Sequence, residues 1–227
     1  MINRGILAAI LVGIAAVGGT GFLVAVRQKS QPTTSAPSAS ANCPSPLTLT
    51  TPVDASLVTA MLWPGQVRGD GFRAHGGFRF DASRPEDVSV RAPLDARLTD
   101  ASRYLEQGEE QYLLFFSSPC GLSFRFDHLR TLSPKLAEAL KNLPPAKPND
   151  SRTTNITDVV EVKAGEEISH SVGISASNVF VDFGLYSADP DSKSGLCFFD
   201  YLPGSDATYL RSLPAGKEGT QSQYCNS

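Results

Sequence analysis

Several common signatures are missing from this chain of 227 residues. It has no Cys-x-x-Cys pair, no Cys/His spacing of a zinc knuckle, no internal repeat and no run of Lys and Arg longer than two. A phosphate-binding surface needs a basic patch or stripe, so nucleic acid is not expected as a partner. The first thirty residues hold no acid and three of the 20 basic groups; with those set aside, seventeen basic groups face 23 acidic ones. A chain of this length supports one domain with a sizeable core rather than two.

What is present is a single long apolar run. Gly5 to Val26 are uncharged and mostly apolar, bounded by Arg4 on one side and by Arg27 and Lys29 on the other. At ~1.5 Å per residue, a helix of that length crosses a bilayer core of ~30 Å. Residues 1–4 are then a cytoplasmic N-terminus and 5–26 a transmembrane signal anchor. A cleaved signal peptide is the rival reading, but Ala25-Val26-Arg27 offers no small-x-small site and Ala39-Ser40-Ala41 stands far beyond it. Basic residues on both flanks leave the orientation open. Cysteine usage points outward: Cys43, Cys120, Cys197 and Cys225 all follow the anchor, an even number suited to an oxidising compartment. The expected location is the cell membrane, single-pass, with the domain outside the cytoplasm. Four thiols allow three pairings and the sequence does not choose among them; Cys43 with Cys120, and Cys197 with Cys225 pinning the tail, is the working hypothesis.

Residues 27–52 are rich in Ser, Thr, Pro and Ala, and read as an extended, disordered linker. Beyond it the apolar runs are short and punctuated. Val88–Ala92, Gln111–Phe116, Leu122–Phe126, Val159–Val162, Ile168–Val172 and Val179–Tyr186 have strand length and β-branched or aromatic content, so residues 53–190 form a mainly β domain. Residues 191–227 are a C-terminal extension. One short helix is expected after Ser133 and Pro134, with Leu136, Leu140 and Leu143 on one face and Pro144-Pro145 as its stop.

Five blocks in order carry a family likeness: His75-Gly-Gly-Phe-Arg-Phe-Asp, Val90-Arg-Ala-Pro-Leu-Asp-Ala-Arg-Leu, Phe126-Asp-His-Leu, Val162-Lys-Ala-Gly-Glu-Glu-Ile and Phe180-Val-Asp-Phe-Gly-Leu-Tyr. Together, over roughly residues 63–186, the chain resembles the lysostaphin-type (LytM-like) peptidoglycan metalloendopeptidases. That resemblance implies an antiparallel sheet or sandwich of the duplicated hybrid motif type. It also implies a zinc site in which His75 takes the first ligand place, Arg79 the place of a ligand Asp, and Asp182 the place of the last ligand His. His128 takes a catalytic place, with Phe126 where a Tyr stands in the family. Phe180 replaces the second catalytic His.

Those replacements change the chemistry. By strand periodicity His75, Arg79 and Asp81 share one face while Phe78 and Phe80 enter the core; Phe180 and Asp182 share a face opposite Val179, Val181, Phe183 and Leu185. A phenyl ring cannot transfer a proton, and a guanidinium cannot coordinate zinc. Placing that cation ~4 Å from a dication costs about 8 kcal/mol at an effective dielectric of roughly 20. The expectation is therefore no zinc and no other cofactor, with Arg79 paired to Asp182 beside His75. The alternative is an active zinc endopeptidase with ligands His75, Asp81 and Asp182, the ligand role moved two residues by a bulge at Gly76-Gly77, and His128 as base.

Other residues have plainer roles. His170 alternates with polar neighbours and reads as solvated, Trp63 as a packed strand-to-turn anchor, and Glu106, Glu109 and Glu110 as a charged hairpin tip unsuited to glycoside hydrolysis. The sequence thus describes a degenerate, non-catalytic member, a pseudoenzyme whose groove of His75, Arg79, Asp81, His128, Phe180 and Asp182 binds peptidoglycan or regulates or scaffolds an envelope protein.

Overall fold

A computed structural model describes residues 43–69, 71–187, 189–191, 193–217 and 219–226. The apolar run Gly5–Val26 and most of the expected linker lie outside the described residues. Among those described, no helix is long and apolar enough to cross a membrane.

The strands in chain order are β1 (Ala60–Leu62), β2 (Gln66–Arg68), β3 (Gly71–Arg73), β4 (Gly76–Arg79), β5 (Val90–Arg91), β6 (Ala96–Glu106), β7 (Glu109–Ser117), β8 (Ser123–Leu129), β9 (Thr154–Asn155), β10 (Glu161–Val162), β11 (Glu167–Ser169) and β12 (Phe180–Tyr186). Two α-helices, α1 (Pro134–Ala139) and α2 (Gly204–Ser212), join them. The fold is mainly β with antiparallel sheets. Its main sheet runs β1-β4-β12-β8-β7-β6-β10, with β9 also on β6, while β2–β3 and β5–β11 form two ribbons.

Alternation builds the core. Phe78 on β4, Val181, Phe183 and Leu185 on β12, and Phe124 and Phe126 on β8 are all buried. Their rings meet across the strands: Phe78 lies 6.0 Å from Phe183, and Phe126 lies 5.2 Å from it. Each fully buried side chain of this size contributes roughly 1.5–3 kcal/mol. The β6–β7 hairpin closes at Gln107 and Gly108, both with positive φ (51° and 85°), the twist that a two-residue hairpin turn requires. Helix α1 starts at Pro134 as expected but ends at Ala139, short of Pro144-Pro145, and the Ser133 side chain makes no cap bond; Leu136 within it, Leu140 at its C-cap and Leu143 beyond are buried.

Three features differ from expectation. A second helix, α2, is present; only Leu210 of its nine residues is buried, so it carries no apolar stripe to announce it. The disordered spacer does not extend to residue 52. Cys43 is bonded to Cys120, Leu49 is 1% exposed, and the backbone of Leu49, Thr50 and Pro52 is hydrogen-bonded to Tyr201, Pro93 and Arg91. A disulfide and one well-placed leucine are enough to dock a segment that composition marks as unstructured.

Nor does the domain close at residue 190. Phe198, Phe199, Leu202 and Leu210 belong to the same apolar cluster as Phe78 and Phe183. Residues 214–216 bond the outer edge of β1: the Met61 N–H donates to the Pro214 carbonyl and the Met61 carbonyl accepts from Gly216, each at 2.9 Å. The extension thereby covers a sheet edge that would otherwise be open, and the Cys197–Cys225 disulfide closes it.

Candidate functional site

On the face of the main sheet opposite Phe126 and Phe183, β12 places Asp182 directly opposite Gly77 of β4 and Asp127 of β8. Two carboxylates facing each other across a strand pair repel, and each has a compensating partner. Arg125 Nη2 donates to Asp127 Oδ2 at 2.5 Å. The Tyr104 hydroxyl reaches over from β6 and donates to Asp127 Oδ1 at 2.7 Å, and the His128 N–H donates to the same oxygen at 2.9 Å. His75, just before β4, sets its Nε2 2.9 Å from Asp182 Oδ2.

Gly77 makes room for that arrangement. A Cβ at this position would stand 2.6 Å from the Val181 carbonyl oxygen and 3.0 Å from Asp182 Oδ1. Asp182 Oδ1 itself is buried and has no hydrogen-bond partner among the described residues.

His128 breaks the β8 alternation because its φ is +63°. The left-handed conformation costs a non-glycine residue ~1–2 kcal/mol, and a bond from the Gly173 N–H to the His128 carbonyl at 2.8 Å helps to hold it. The ring then joins the face of Asp127. Its Nδ1 lies 3.4 Å from Glu106 Oε2 and from the Tyr104 hydroxyl, its Nε2 lies 3.9 Å from Asp182 Oδ2, and the ring sits 4.4 Å from that of Phe180.

Electrostatics follow from burial and pairing. Burial lowers the His75 pKa, and the nearby Arg125 and Arg68 charges add to that effect against the pull of Asp182, so the imidazole is neutral at pH 7. Burial disfavours charge on Asp182, yet the opposing charge and hydrogen bond of His75, with His128 and Arg68, hold its carboxyl well below the usual range. Burial also opposes charge on Arg125, but Asp127, Tyr186 and Asp182 raise its pKa. Tyr104 is pushed far up by burial and by Asp127, and remains a donor. Tyr186 is pushed up to about 12, mainly by burial. An open cleft of about 500 Å³ lies over this cluster, walled by Phe72, Phe115 and Tyr186.

Of the residues singled out from sequence, the structure gathers His75, His128 and Asp182, with Phe180 packed on His128. It does not gather Arg79. The expected Arg79–Asp182 pair is corrected: Arg79 is opposite Phe180 in register, and its Nη2 bonds Asp81 Oδ1 at 2.7 Å. Its guanidinium lies 5.9 Å from the Phe180 ring. Asp81 also accepts from Thr59 Oγ1 at 3.0 Å, so the alternative ligand set of His75, Asp81 and Asp182 is not assembled. Glu106 is not merely part of a hairpin tip, since its carboxylate faces His128. Trp63 is buried 4.8 Å from the Phe199 ring, and His170 is exposed near Glu167.

Arg125, Asp127 and Tyr104 were not anticipated. A signal for the first two exists: once Phe124 and Phe126 are placed in the core, residues 125 and 127 must share the outer face.

Asp127, His128 and Asp182 each present a ligand atom, all within 4.8 Å of one another. This trio is not the zinc ligand set that the resemblance implies, in which Asp127 has no ligand place. Asp127 is already bonded by a guanidinium, a phenol and a backbone N–H, and Asp182 Oδ2 by His75. The ligand-Asp place that the resemblance implies is held by Arg79, which has no lone pair to give.

No protein-family model matches the chain. No curated protein matches it either. Among solved structures, the chain is similar to a protein from Ruminococcus gnavus ATCC 29149 assigned as a glycyl-glycine endopeptidase, LytM, with 13% sequence identity and a TM-score of 0.29. The match covers 72% of this chain and 65% of that one. A superposition that loose fixes neither fold nor activity.

Proposed function

We propose that the chain is a membrane-anchored, extracytoplasmic lysostaphin-like domain that binds cell-wall peptide without cleaving it. One observation carries this reading: the two central carboxylates of the cleft are engaged from within it, Asp127 in an ion pair with Arg125 and Asp182 in a hydrogen bond with neutral His75. A hydrolytic site needs an open metal position or a free base positioned against substrate. Here the phenyl ring of Phe180 stands beside His128 where the resemblance calls for a second imidazole, and it can neither accept nor donate a proton.

Binding remains well served. The cleft offers aromatic walls at Phe72, Phe115 and Tyr186, and polar edges at His75, His128 and Asp182, the mixture that holds an extended peptide by its amides and small side chains. The apolar run 5–26 would tether the domain, and residues 27–42 would set its reach toward the wall. An envelope protein is the other partner compatible with such a cleft.

Co-sedimentation of the purified chain with sacculi, followed alongside turbidity, tests the proposal. Retention on sacculi without clearing is expected, and His128→Ala with Asp182→Asn should reduce it. Clearing of the suspension, abolished by a chelator, would instead support a zinc endopeptidase. The close approach of Asp127, His128 and Asp182 is the observation that favours that second reading.

A further inference from the structure

A second cleft lies on the domain, sharing no lining residue with the first. It has a volume of about 370 Å³ and runs between β6 and the segment 143–154, with Arg103, Lys147, Asp150 and Arg152 among its lining residues. In a chain of formal charge −3, three cations here face one carboxylate.

The charges are not equally engaged. Arg152 makes a two-pronged pair with Asp150, Nε to Oδ1 at 2.7 Å and Nη2 to Oδ2 at 2.6 Å, so Asp150 is neutralised within the cleft. Arg103 Nη2 is fixed by the Leu143 and Pro144 carbonyls at 2.9 and 3.3 Å. Lys147 makes no side-chain ion pair or hydrogen bond among the described residues. Its backbone is nevertheless pinned to β6, with the Leu105 N–H donating to the Lys147 carbonyl at 3.0 Å and Asn149 returning a bond to Leu105 at 2.8 Å. Ser102 is 3% exposed, lines the cleft, and its hydroxyl has no hydrogen-bond partner among the described residues.

We propose that this cleft binds a free carboxylate borne by a peptide with a small aliphatic side chain. Lys147 and Arg103 supply the positive field, the Ser102 hydroxyl donates to the bound end, and Leu143, Pro144 and Pro145 form a wall against which a small apolar side chain packs. The apolar wall and the one ammonium without a side-chain ion pair or hydrogen bond, its charge felt by Asp150 across the cleft, favour one carboxylate over a polyanion, which needs a row of exposed cations. This site goes beyond the proposed role of the His75–Asp182 cleft and does not depend on it.

Saturation-transfer NMR on the purified full chain tests the proposal, with N-acetyl-alanyl-alanine, its carboxamide, and inorganic phosphate as probes. The acid should bind and the carboxamide should not. Lys147→Gln should weaken the acid roughly tenfold or more, the effect of one charge-assisted hydrogen bond. Because Lys147 is exposed, that variant keeps the fold; Lys135→Gln, an equal loss of charge elsewhere, should leave binding unchanged. Ser102→Ala should weaken binding less. Equal binding of acid and carboxamide, phosphate competing as well as the acid, indifference to Lys147→Gln, or no binding of the acid would each overturn the proposal.

Discussion

Asp127 and Asp182 are direct cross-strand neighbours on the outer face of β8 and β12. Left alone, the two carboxylates would repel, and the rest of the cleft is organised around relieving that repulsion. Arg125 and Tyr104 serve one carboxylate and His75 the other, while Gly77 leaves the space in which the second lies. The cluster is thus held together by one ion pair, Arg125 with Asp127, and by the hydrogen bonds that Tyr104 and His75 make to the two carboxylates.

Removing Arg125 should expose that dependence. Arg125 and Asp127 are each less than 15% exposed, and stripping one partner from a buried pair leaves an uncompensated charge costing ~3–5 kcal/mol. Arg79→Ala breaks a more exposed pair and should cost about 1 kcal/mol or less. Urea denaturation midpoints of Arg125→Ala and Arg79→Ala should separate clearly. Equal losses would mean that the cluster does not depend on Arg125.

Acid should weaken the fold in two stages. Burial lowers the His75 pKa below its ordinary 6.5, so below that pH the unfolded chain binds a proton that the folded imidazole resists. This contribution is complete above pH 6.5 and declines as the pH falls toward the folded value. Asp182, depressed below its ordinary 3.8, adds a second decline in stronger acid. Thermal midpoints measured from pH 7 to pH 5 should fall for the wild type and fall less for His75→Gln. A midpoint that rises on acidification would mean that His75 gains a proton on folding.

Gly77→Ala should cost more than about 2 kcal/mol, because the atoms it meets include the Val181 backbone carbonyl and cannot rotate away. Gly204→Ala, at the start of α2 with nothing within 4 Å, should shift stability by no more than ~0.5 kcal/mol or improve it. Matched melting curves of the two variants provide the check.

Loss of either disulfide should be costly and locally distinct. The Cys43–Cys120 bridge closes a separation of 77 residues and the Cys197–Cys225 bridge one of 28, worth ~4.5 and ~3.5 kcal/mol by loop closure. The double variant Cys43→Ser with Cys120→Ser should admit protease near residues 43–52. Cys197→Ser with Cys225→Ser should admit it in the segment covering β1. Cleavage at the same place in both variants would show that the two segments are not docked separately.

Much of the framework was legible because alternation is a local property. Phe78, Val181, Phe183 and Leu185 declare their inward face two residues at a time, and α1 is marked by Pro134, its leucines and Pro144-Pro145. The cleft was legible only in part, since its members meet through register. Which residue of β8 stands opposite Asp182 depends on strand pairing, and no local pattern encodes the Asp127–Asp182 rung. His128 reverses the expected alternation through a positive φ stabilised by Gly173, 45 residues later in the chain. Arg79 fell to Asp81 because its cross-strand neighbour is Phe180 and the two-residue spacing of a strand puts Asp81 on its own face. Helix α2 was hidden for the opposite reason, being held by its flanks rather than by an apolar stripe.

The chemistry of the cleft turns on whether it holds a metal. Inductively coupled plasma mass spectrometry of the full chain, purified without chelator and dialysed against zinc, measures this directly. Zinc far below one ion per chain, unchanged in Asp127→Asn, is the predicted result. One tightly held zinc per chain, lost in both Asp127→Asn and His128→Gln, would contradict it.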